Sequence, residues 1–133
     1  MTDYLTVDEV LEIHHVLINR YGGSLGVRDL NALESALFRP QTGYYADIIL
    51  EASALMESIA VNHPFIDGNK RVAFAVTDIF LRINGFRMTE KPMVIYEKMI
   101  TLFDNQEFKL YFIEQFLREM VKPIIKPSLK IFR

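Results

Sequence analysis

The stretch His63-Pro64-Phe65-Ile66-Asp67-Gly68-Asn69-Lys70-Arg71 lies between two amphipathic patterns, one ending near Asn62 and the other running to Asn84. A loop between two helices is where a rigid scaffold usually presents its chemistry. This loop contains an imidazole, a carboxylate, a glycine, an amide and two cations. We interpret it as a site for the phosphates of a nucleotide and for a metal ion.

Length and composition set the limits for the rest of the chain. With 133 residues, 50 % of them hydrophobic, we expect a single domain over 1–133, with a core at about 7–120 and a basic, proline-containing tail at 121–133. The chain has no cysteine, which excludes a disulfide scaffold and a zinc-thiolate site. A net charge of -2 makes nucleic acid an unlikely partner. Because neither a secretory signal nor an apolar run of ~20 residues is present, we expect a cytoplasmic protein with no membrane contact.

Apolar residues recur at helical spacing along most of the chain, which predicts an all-α, compact bundle of about six helices. Thr6 and Glu9 form a capping-box pair at the start of the first helix, and Gly22-Gly23 ends it. The fourth helix has little polar surface, so we expect it to be the buried centre of the bundle. The other expected helices are one capped by Asp29 and closed by Pro40, one over about 47–61, one over about 92–103, and one capped by Asn105 and reaching Met120.

Two short stretches do not fit a helix. Gln41-Thr42-Gly43-Tyr44-Tyr45-Ala46 is too short for one and has a glycine at a turn position, so we expect an extended flap or a small hairpin. Phe86-Arg87-Met88 is also expected to be briefly extended, because Gly85 ends the fourth helix before it.

The beginning of the fourth helix suits an anion. The first backbone N–H groups of a helix have no partner within the helix and favour negative charge. Gly68 lets a phosphate approach the backbone closely, and Asn69 follows it in the first turn. Lys70 and Arg71 add positive charge beside these groups.

Asp67 and His63 supply the remaining chemistry. Mg²⁺ typically binds one or two carboxylates and completes its shell with water and phosphate oxygens, so Asp67 is a candidate ligand. An imidazole such as His63 is well suited to accept a proton near neutral pH. Together these groups are suited to the transfer of a phosphorus-centred group to a hydroxyl.

Each of these residues also has an ordinary structural explanation. Asp67 could cap the helix within a turn, His63 could cap the preceding helix, and the two cations could be solvated. We favour the functional interpretation because several compatible functions coincide within one short loop. The stretch is not a Walker A motif, whose Gly-x-x-x-x-Gly-Lys-Ser/Thr pattern is absent.

The stretch from His63 to Arg71 closely resembles the signature of the Fic/Doc family, in which His-Pro-Phe precedes an acidic residue, glycine, asparagine, glycine or lysine, and arginine. The resemblance covers about 7–120 and is strongest to the Doc (death-on-curing) branch. The further stretches similar to that branch are Tyr21-Gly22-Gly23, Arg28-Asp29 with Leu33-Glu34-Ser35-Ala36-Leu37, and Phe80-Leu81 with Asn84-Gly85.

This resemblance implies an all-helical fold and a Mg²⁺-dependent transferase that uses ATP or another NTP as co-substrate. His63 would be the catalytic base, Asp67 would hold Mg²⁺, and Phe65 would anchor the loop in the core. Among the remaining residues of the signature, Gly68 and Asn69 would form the anion hole, and Lys70 and Arg71 would contact phosphates.

The resemblance also implies partners. Family members carry a flap that aligns the target protein by strand pairing, at the place of Thr42, Gly43, Tyr44 and Tyr45. A Doc-like toxin would modify a translation factor such as elongation factor Tu and would be inhibited by a small antitoxin protein. An inhibitory pattern within this chain is incomplete, because only Ser53 and Glu57 match it and both fall in the third helix.

Three functions therefore remain open. Fic proteins that transfer AMP typically have glycine where this chain has Lys70 and a second arginine where it has Phe74. The absence of that arginine is similar to Doc proteins, which transfer phosphate, although Doc itself has alanine at the position of Gly68. We favour a phosphotransferase over an AMP transferase, and either over a non-catalytic module that binds a nucleotide or a partner.

Overall fold

The structure, a computed structural model, describes residues 1–125 and confirms the all-α class. Two short strands, β1 and β2, accompany the helices, and a 3-10 helix follows the second helix. The α-helices are α1 (Val7–Tyr21), α2 (Leu30–Phe38), α3 (Ile48–Asn62), α4 (Asn69–Ile83), α5 (Pro92–Asp104) and α6 (Leu110–Met120); the 3-10 helix is Arg39–Thr42, and the strands are β1 (Phe86–Met88) and β2 (Val121–Pro123).

Local capping explains where the first three helices begin. The Thr6 hydroxyl accepts a hydrogen bond from the Glu9 N–H, and the Glu9 carboxylate accepts one from the Thr6 N–H, which confirms the predicted capping box. The Asp29 carboxylate caps α2 by accepting from the Ala32 N–H, and the Asp47 carboxylate caps α3 by accepting from the Leu50 N–H. By contrast, α4 follows Gly68 and has no side-chain cap, so the first N–H groups of α4 stay open.

The most deeply buried helix is α3, and our prediction that α4 is the buried centre was wrong. The central stretch of α3 combines apolar side chains with small alanine and serine residues, so other helices can approach it closely from several sides. In contrast, α4 keeps a half-exposed face on which Asp78 and Arg82 form an ion pair. It packs against α3 and α1 through a core face that includes Val72, Val76 and Phe80.

The segment 41–46 forms a loop. We had predicted either an extended flap or a small hairpin there, and the segment does not form a hairpin. Its first residues belong to the 3-10 helix, and the rest is irregular up to α3. The Gln41 side chain donates to the Leu37 carbonyl, and the Thr42 hydroxyl donates to the Arg39 carbonyl. These local bonds favour a turn over strand pairing.

The prediction that Asn105 caps the sixth helix was also wrong. Asn105 ends α5, where its N–H donates to the Thr101 carbonyl, and α6 begins only at Leu110. The Leu110 N–H donates to the Glu57 carboxylate at 2.7 Å. A cap supplied by α3 from far away in the sequence leaves no local signal.

The predicted extended stretch at 86–88 is β1, and its partner β2 lies in the segment that we had assigned to the tail. The two strands are antiparallel, with Phe86 opposite Pro123 and Met88 opposite Val121. Val121 is buried. Residues 126–133, including Pro127 of the expected tail, lie outside the described part of the chain. Within residues 1–125, we find no helix with the length and apolarity needed to span a membrane.

Candidate active site

The loop between α3 and α4 is anchored through Phe65. This side chain is 1 % exposed and stacks on the buried His14 ring, with 3.9 Å between the ring centroids. The Asn69 side chain accepts a hydrogen bond from the Phe65 N–H and donates one to the Phe65 carbonyl, both at 2.9 Å. The predicted burial of Phe65 is therefore confirmed, and the loop around it has a fixed shape.

The segment between α1 and α2 holds the same loop from the other side. The N–H groups of Arg28 and Asp29 donate to the Pro64 carbonyl at 2.8 and 3.0 Å, and the Ile66 N–H donates to the Gly26 carbonyl at 3.1 Å. These bonds accompany an isolated antiparallel bridge between Val27 and Phe65. Backbone pairing therefore adds to the side-chain anchor.

Arg28 stabilises the backbone at His63. Its guanidinium donates to the carbonyl of Asn62 at 2.6 Å and to that of His63 at 2.5 Å, at the end of α3 where helix carbonyls lack partners. His63 has φ 49° and ψ 59°, a left-handed conformation that residues other than glycine seldom adopt. The His63 side chain itself remains exposed.

Asp67 is oriented by backbone groups. Its Oδ1 accepts from the Gly68 N–H at 2.8 Å, and its Oδ2 accepts from the Ser24 N–H at 3.0 Å. The Asp67 carbonyl accepts a bond from His14 Nε2 at 2.8 Å, so this nitrogen carries the proton. Gly23 is required beside the carboxylate, because a Cβ there would lie 2.7 Å from Asp67 Oδ2 and φ is +117°.

The predicted site residues of the central loop line one cavity of about 420 Å³. No bond from another group within residues 1–125 occupies the backbone N–H groups of Asn69 and Lys70. Gly68 has φ +77°, and a Cβ there would lie 3.2 Å from Ile18 Cδ1, so glycine keeps this entrance open. The predicted residues in the lining are His63, Asp67, Gly68, Asn69, Lys70 and Arg71, together with Gly22, Ile66 and Tyr96.

The two cations of the loop contact aromatic rings, of which that of Tyr96 belongs to the cavity lining. The Arg71 guanidinium carbon lies 4.2 Å from the centre of the Tyr21 ring and 5.7 Å from that of Tyr96. Lys70 Nζ lies 4.4 Å from the centre of the Phe103 ring. Such cation–π contacts orient a positive charge without neutralising it.

The side chains that line the cavity can bind Mg²⁺ only together with phosphates that supply further ligands. Asp67 is the one acidic residue in the cavity lining, and residues 1–125 contain no group of three or more acidic, histidine or cysteine side chains that could hold a metal. Mg²⁺ commonly uses one or two carboxylates and takes its other ligands from phosphates and water. Asp67 therefore suits a metal ion that arrives with a nucleotide.

The predicted flap residues Thr42, Gly43, Tyr44 and Tyr45 are absent from the cavity lining. Tyr44 is 83 % exposed, whereas the Tyr45 hydroxyl accepts a hydrogen bond from Arg39 Nε at 2.6 Å. Burial opposes the charge of Arg39, but its bonds to Glu57 and Tyr45 raise the pKa of this residue above its usual value. Glu57, part of the incomplete inhibitory pattern, is thus engaged in structure.

Sequence reasoning missed several residues that support the site. His14 is buried, and its contacts with Phe65 and Asp67 were not foreseen. Arg28 and Ser24 were not assigned to the site at all. Their partners lie 34 to 43 residues away in the sequence, so no local pattern indicates the contacts.

Comparisons with known proteins agree with this site. The sequence profile described as "Fic/DOC family" matches residues 4–81. The chain is 40 % identical over 93 residues to "Toxin Doc" of Mycolicibacterium smegmatis, an overlap of 66 % of this chain and 69 % of the relative. It is 33 % identical over 93 residues to "Protein kinase doc" of Escherichia phage P1, covering 67 % of this chain and 74 % of the relative. The chain therefore belongs to the Fic/Doc family.

Proposed function

We propose that this chain is a toxin-type transferase that moves a phosphate from a nucleoside triphosphate to a hydroxyl side chain of a target protein. The observation that carries the proposal is that His63, Asp67 and the open N-terminus of α4 line a single cavity. The names of the two relatives, one a toxin and the other a protein kinase, support the same assignment.

In the proposed reaction, the His63 imidazole accepts the proton of the target hydroxyl. The hydroxyl oxygen then forms a bond to the γ-phosphorus, and the bond from that phosphorus to the bridging oxygen breaks. A nucleoside diphosphate leaves. The open N–H groups of Asn69 and Lys70 and the charges of Lys70 and Arg71 stabilise the phosphate oxygens during transfer.

Asp67 would hold Mg²⁺ together with the phosphates. The metal ion, when bound, supplies positive charge that offsets the negative charge of the phosphate oxygens. The contributions of the chain are the fixed Asp67 carboxylate, held by the N–H groups of Ser24 and Gly68, and the shape of the cavity.

Transfer of AMP is the alternative reaction. Phe74 occupies the position of the second arginine in AMP-transferring proteins, and it offers no positive charge. Its ring packs edge-on against the Tyr96 ring, with 5.7 Å between the ring centroids. Lys70, in place of glycine, lines the phosphate cavity. Both differences favour a nucleotide that binds with its terminal phosphate towards His63, and hence phosphate transfer.

The proposal includes two protein partners. It also places the chain in the cytoplasm. The target is a protein of the translation machinery, such as elongation factor Tu, aligned at the flap where Tyr44 is exposed. The second partner is a small antitoxin, which we expect to dock an amphipathic helix near the flap. Glu57 contacts Arg39 and the N-terminus of α6, so the incomplete inhibitory pattern leaves inhibition to another chain.

Intact-mass spectrometry of candidate targets after incubation with ATP and Mg²⁺ tests this function. We expect one added phosphate on a translation factor in the presence of the parent protein. An added AMP group would support the alternative reaction, since the two adducts differ clearly in mass. No adduct on any translation protein, from a preparation that binds ATP, would favour the non-catalytic binding module.

A further inference from the structure

The side chain of Lys70 rests on an aromatic ring from another helix. Its Nζ lies 4.4 Å from the centre of the ring of Phe103, which belongs to the last turn of α5. Lys70 lines the cavity of about 420 Å³ at the start of α4, whereas Phe103 is absent from that lining. The ring of Phe103 therefore contacts a cation of the proposed phosphate site without lining the site.

A second ring supports the first. The rings of Phe103 and Phe108 are stacked, with 3.9 Å between their centroids and an angle of 12° between their planes. Because Phe108 covers one face of the Phe103 ring, the Lys70 ammonium lies over the other face. Phe108 is buried, and Phe103 is half-buried against the core. We call these two stacked phenylalanines the aromatic seat.

Hydrogen bonds hold the aromatic seat in place along the chain. At the end of α5, the Gln106 N–H donates to the Phe103 carbonyl at 3.0 Å. On the other side of Phe108, the Leu110 N–H donates to the Glu57 carboxylate of α3 at 2.7 Å. The connection between α5 and α6 is thus fastened both to α5 and to α3, so the two rings form a fixed surface beside α4.

The positive charge of Lys70 remains available to an anion. None of the ion pairs within residues 1–125 involves Lys70. A phenyl ring attracts an ammonium through its face but carries no net charge, so the contact orients the cation and does not neutralise it. A lysine side chain is long and flexible, and orienting it in advance lowers the entropy that is lost when an anion binds.

We infer that Phe103 is a positioning residue for Lys70, an inference that rests on the proposed function. The aromatic seat holds the ammonium beside the cavity, where it meets the phosphate chain of the nucleotide. Phe103 acts through Lys70 and makes no contact with the phosphates. The contact between the ring and the ammonium therefore persists when phosphate is bound.

Calorimetric titration with inorganic tripolyphosphate and Mg²⁺ tests this inference. Phe103→Leu removes the ring face and should weaken binding by about two- to fivefold, the range of an exposed cation–π contact. Phe103→Tyr keeps the ring face and should bind as tightly as the parent. In a Lys70→Met background, Phe103→Leu should have no further effect, because the ring acts only through the ammonium. Phe86→Leu removes a half-buried ring from β1 and, as the control, should leave binding unchanged.

Nuclear magnetic resonance of the Lys70 side chain gives a second readout. The ring current of Phe103 shifts the signals of the Lys70 methylene groups in the parent protein. We expect this shift to remain when tripolyphosphate is bound, and to disappear in Phe103→Leu. The Lys70→Met variant identifies the signals, because they are absent from its spectrum.

Tighter binding by Phe103→Leu, or loss of the ring-current shift when tripolyphosphate binds, would overturn the inference, because the ring would then withhold Lys70 from the phosphates. Parent affinity in Phe103→Leu, or the same loss of affinity in the Lys70→Met background, would overturn it as well. If Phe103→Leu does not fold, Phe103→Met decides by the same comparison. A parent that binds no tripolyphosphate contradicts the proposed function, whereas a parent that binds it and gives one of the earlier results contradicts only the role of Phe103.

Discussion

At the scale of single residues, the site depends on a few side chains that hold the loop between α3 and α4 in place and take no part in the proposed reaction. Phe65 fills the core below the loop, and Asn69 closes the loop around the Phe65 backbone. The Asn69 side chain is thus engaged with the loop, whereas its backbone N–H is open to an anion. The resemblance to the family implied that Phe65 is buried, but no sequence pattern indicated that His14 is its stacking partner.

Replacement of Phe65 by alanine should destabilise the protein by ~3–5 kcal/mol, the usual cost of removing a buried phenylalanine. The stacking contact with His14 would be lost at the same time. The free energy of unfolding, measured in denaturant, checks this. Ile66→Ala is the control, because Ile66 is 60 % exposed and its loss should cost much less. Equal stability of Phe65→Ala and the parent would contradict the anchoring role.

At the scale of elements, the end of α3 and the segment between α1 and α2 act as one unit. Arg28 satisfies the final carbonyls of α3 and so supports the left-handed backbone of His63. The helices themselves followed from periodicity and capping residues, because those signals are local. The contacts of Arg28 and the capping of α6 by Glu57 did not, because their partners are far apart in the sequence.

Arg28→Ala should leave the protein folded but lower kcat by ~10²-fold, because a small displacement of a catalytic group can cost that much. The KM for the nucleotide should change less, since the proposed phosphate site lies on α4. Arg28→Lys should recover part of the rate by donating to the same carbonyls. Arg87→Ala is the control, because Arg87 is the exposed residue of β1. If Arg28→Ala and Arg87→Ala lower kcat equally, or if Arg28→Ala changes only KM, Arg28 does not position His63.

At the scale of the whole molecule, the fold surrounds α3 and leaves one half of α4 free to line cavities. The sequence pattern of α4 suggested that this helix is the buried centre of the bundle, because it has little polar surface. Three of its apolar residues, Phe74, Ala75 and Ile79, line a cavity of about 300 Å³, and Phe74 and Ile79 also pack against the core. Apolar residues that line a cavity are indistinguishable in sequence from core residues.

The absence of a complete inhibitory pattern predicts that expression of this chain alone arrests growth. Co-expression of its antitoxin, expected from a small neighbouring gene, should restore growth because a partly disordered segment folds onto the toxin. Growth curves of cells with one or both genes provide the measurement. Unimpaired growth of cells that contain active enzyme and no partner would contradict the prediction.

The most direct measurement uses ATP labelled on either the γ- or the α-phosphate, with a translation-factor target, the parent protein and the His63→Ala variant. We predict that the target acquires label from γ-labelled ATP alone. His63→Ala should lower this transfer by ~10²–10⁴-fold while remaining folded, because His63 is exposed and is the proposed base. Label acquired from α-labelled ATP, or equal transfer by the folded His63→Ala variant, would contradict the account.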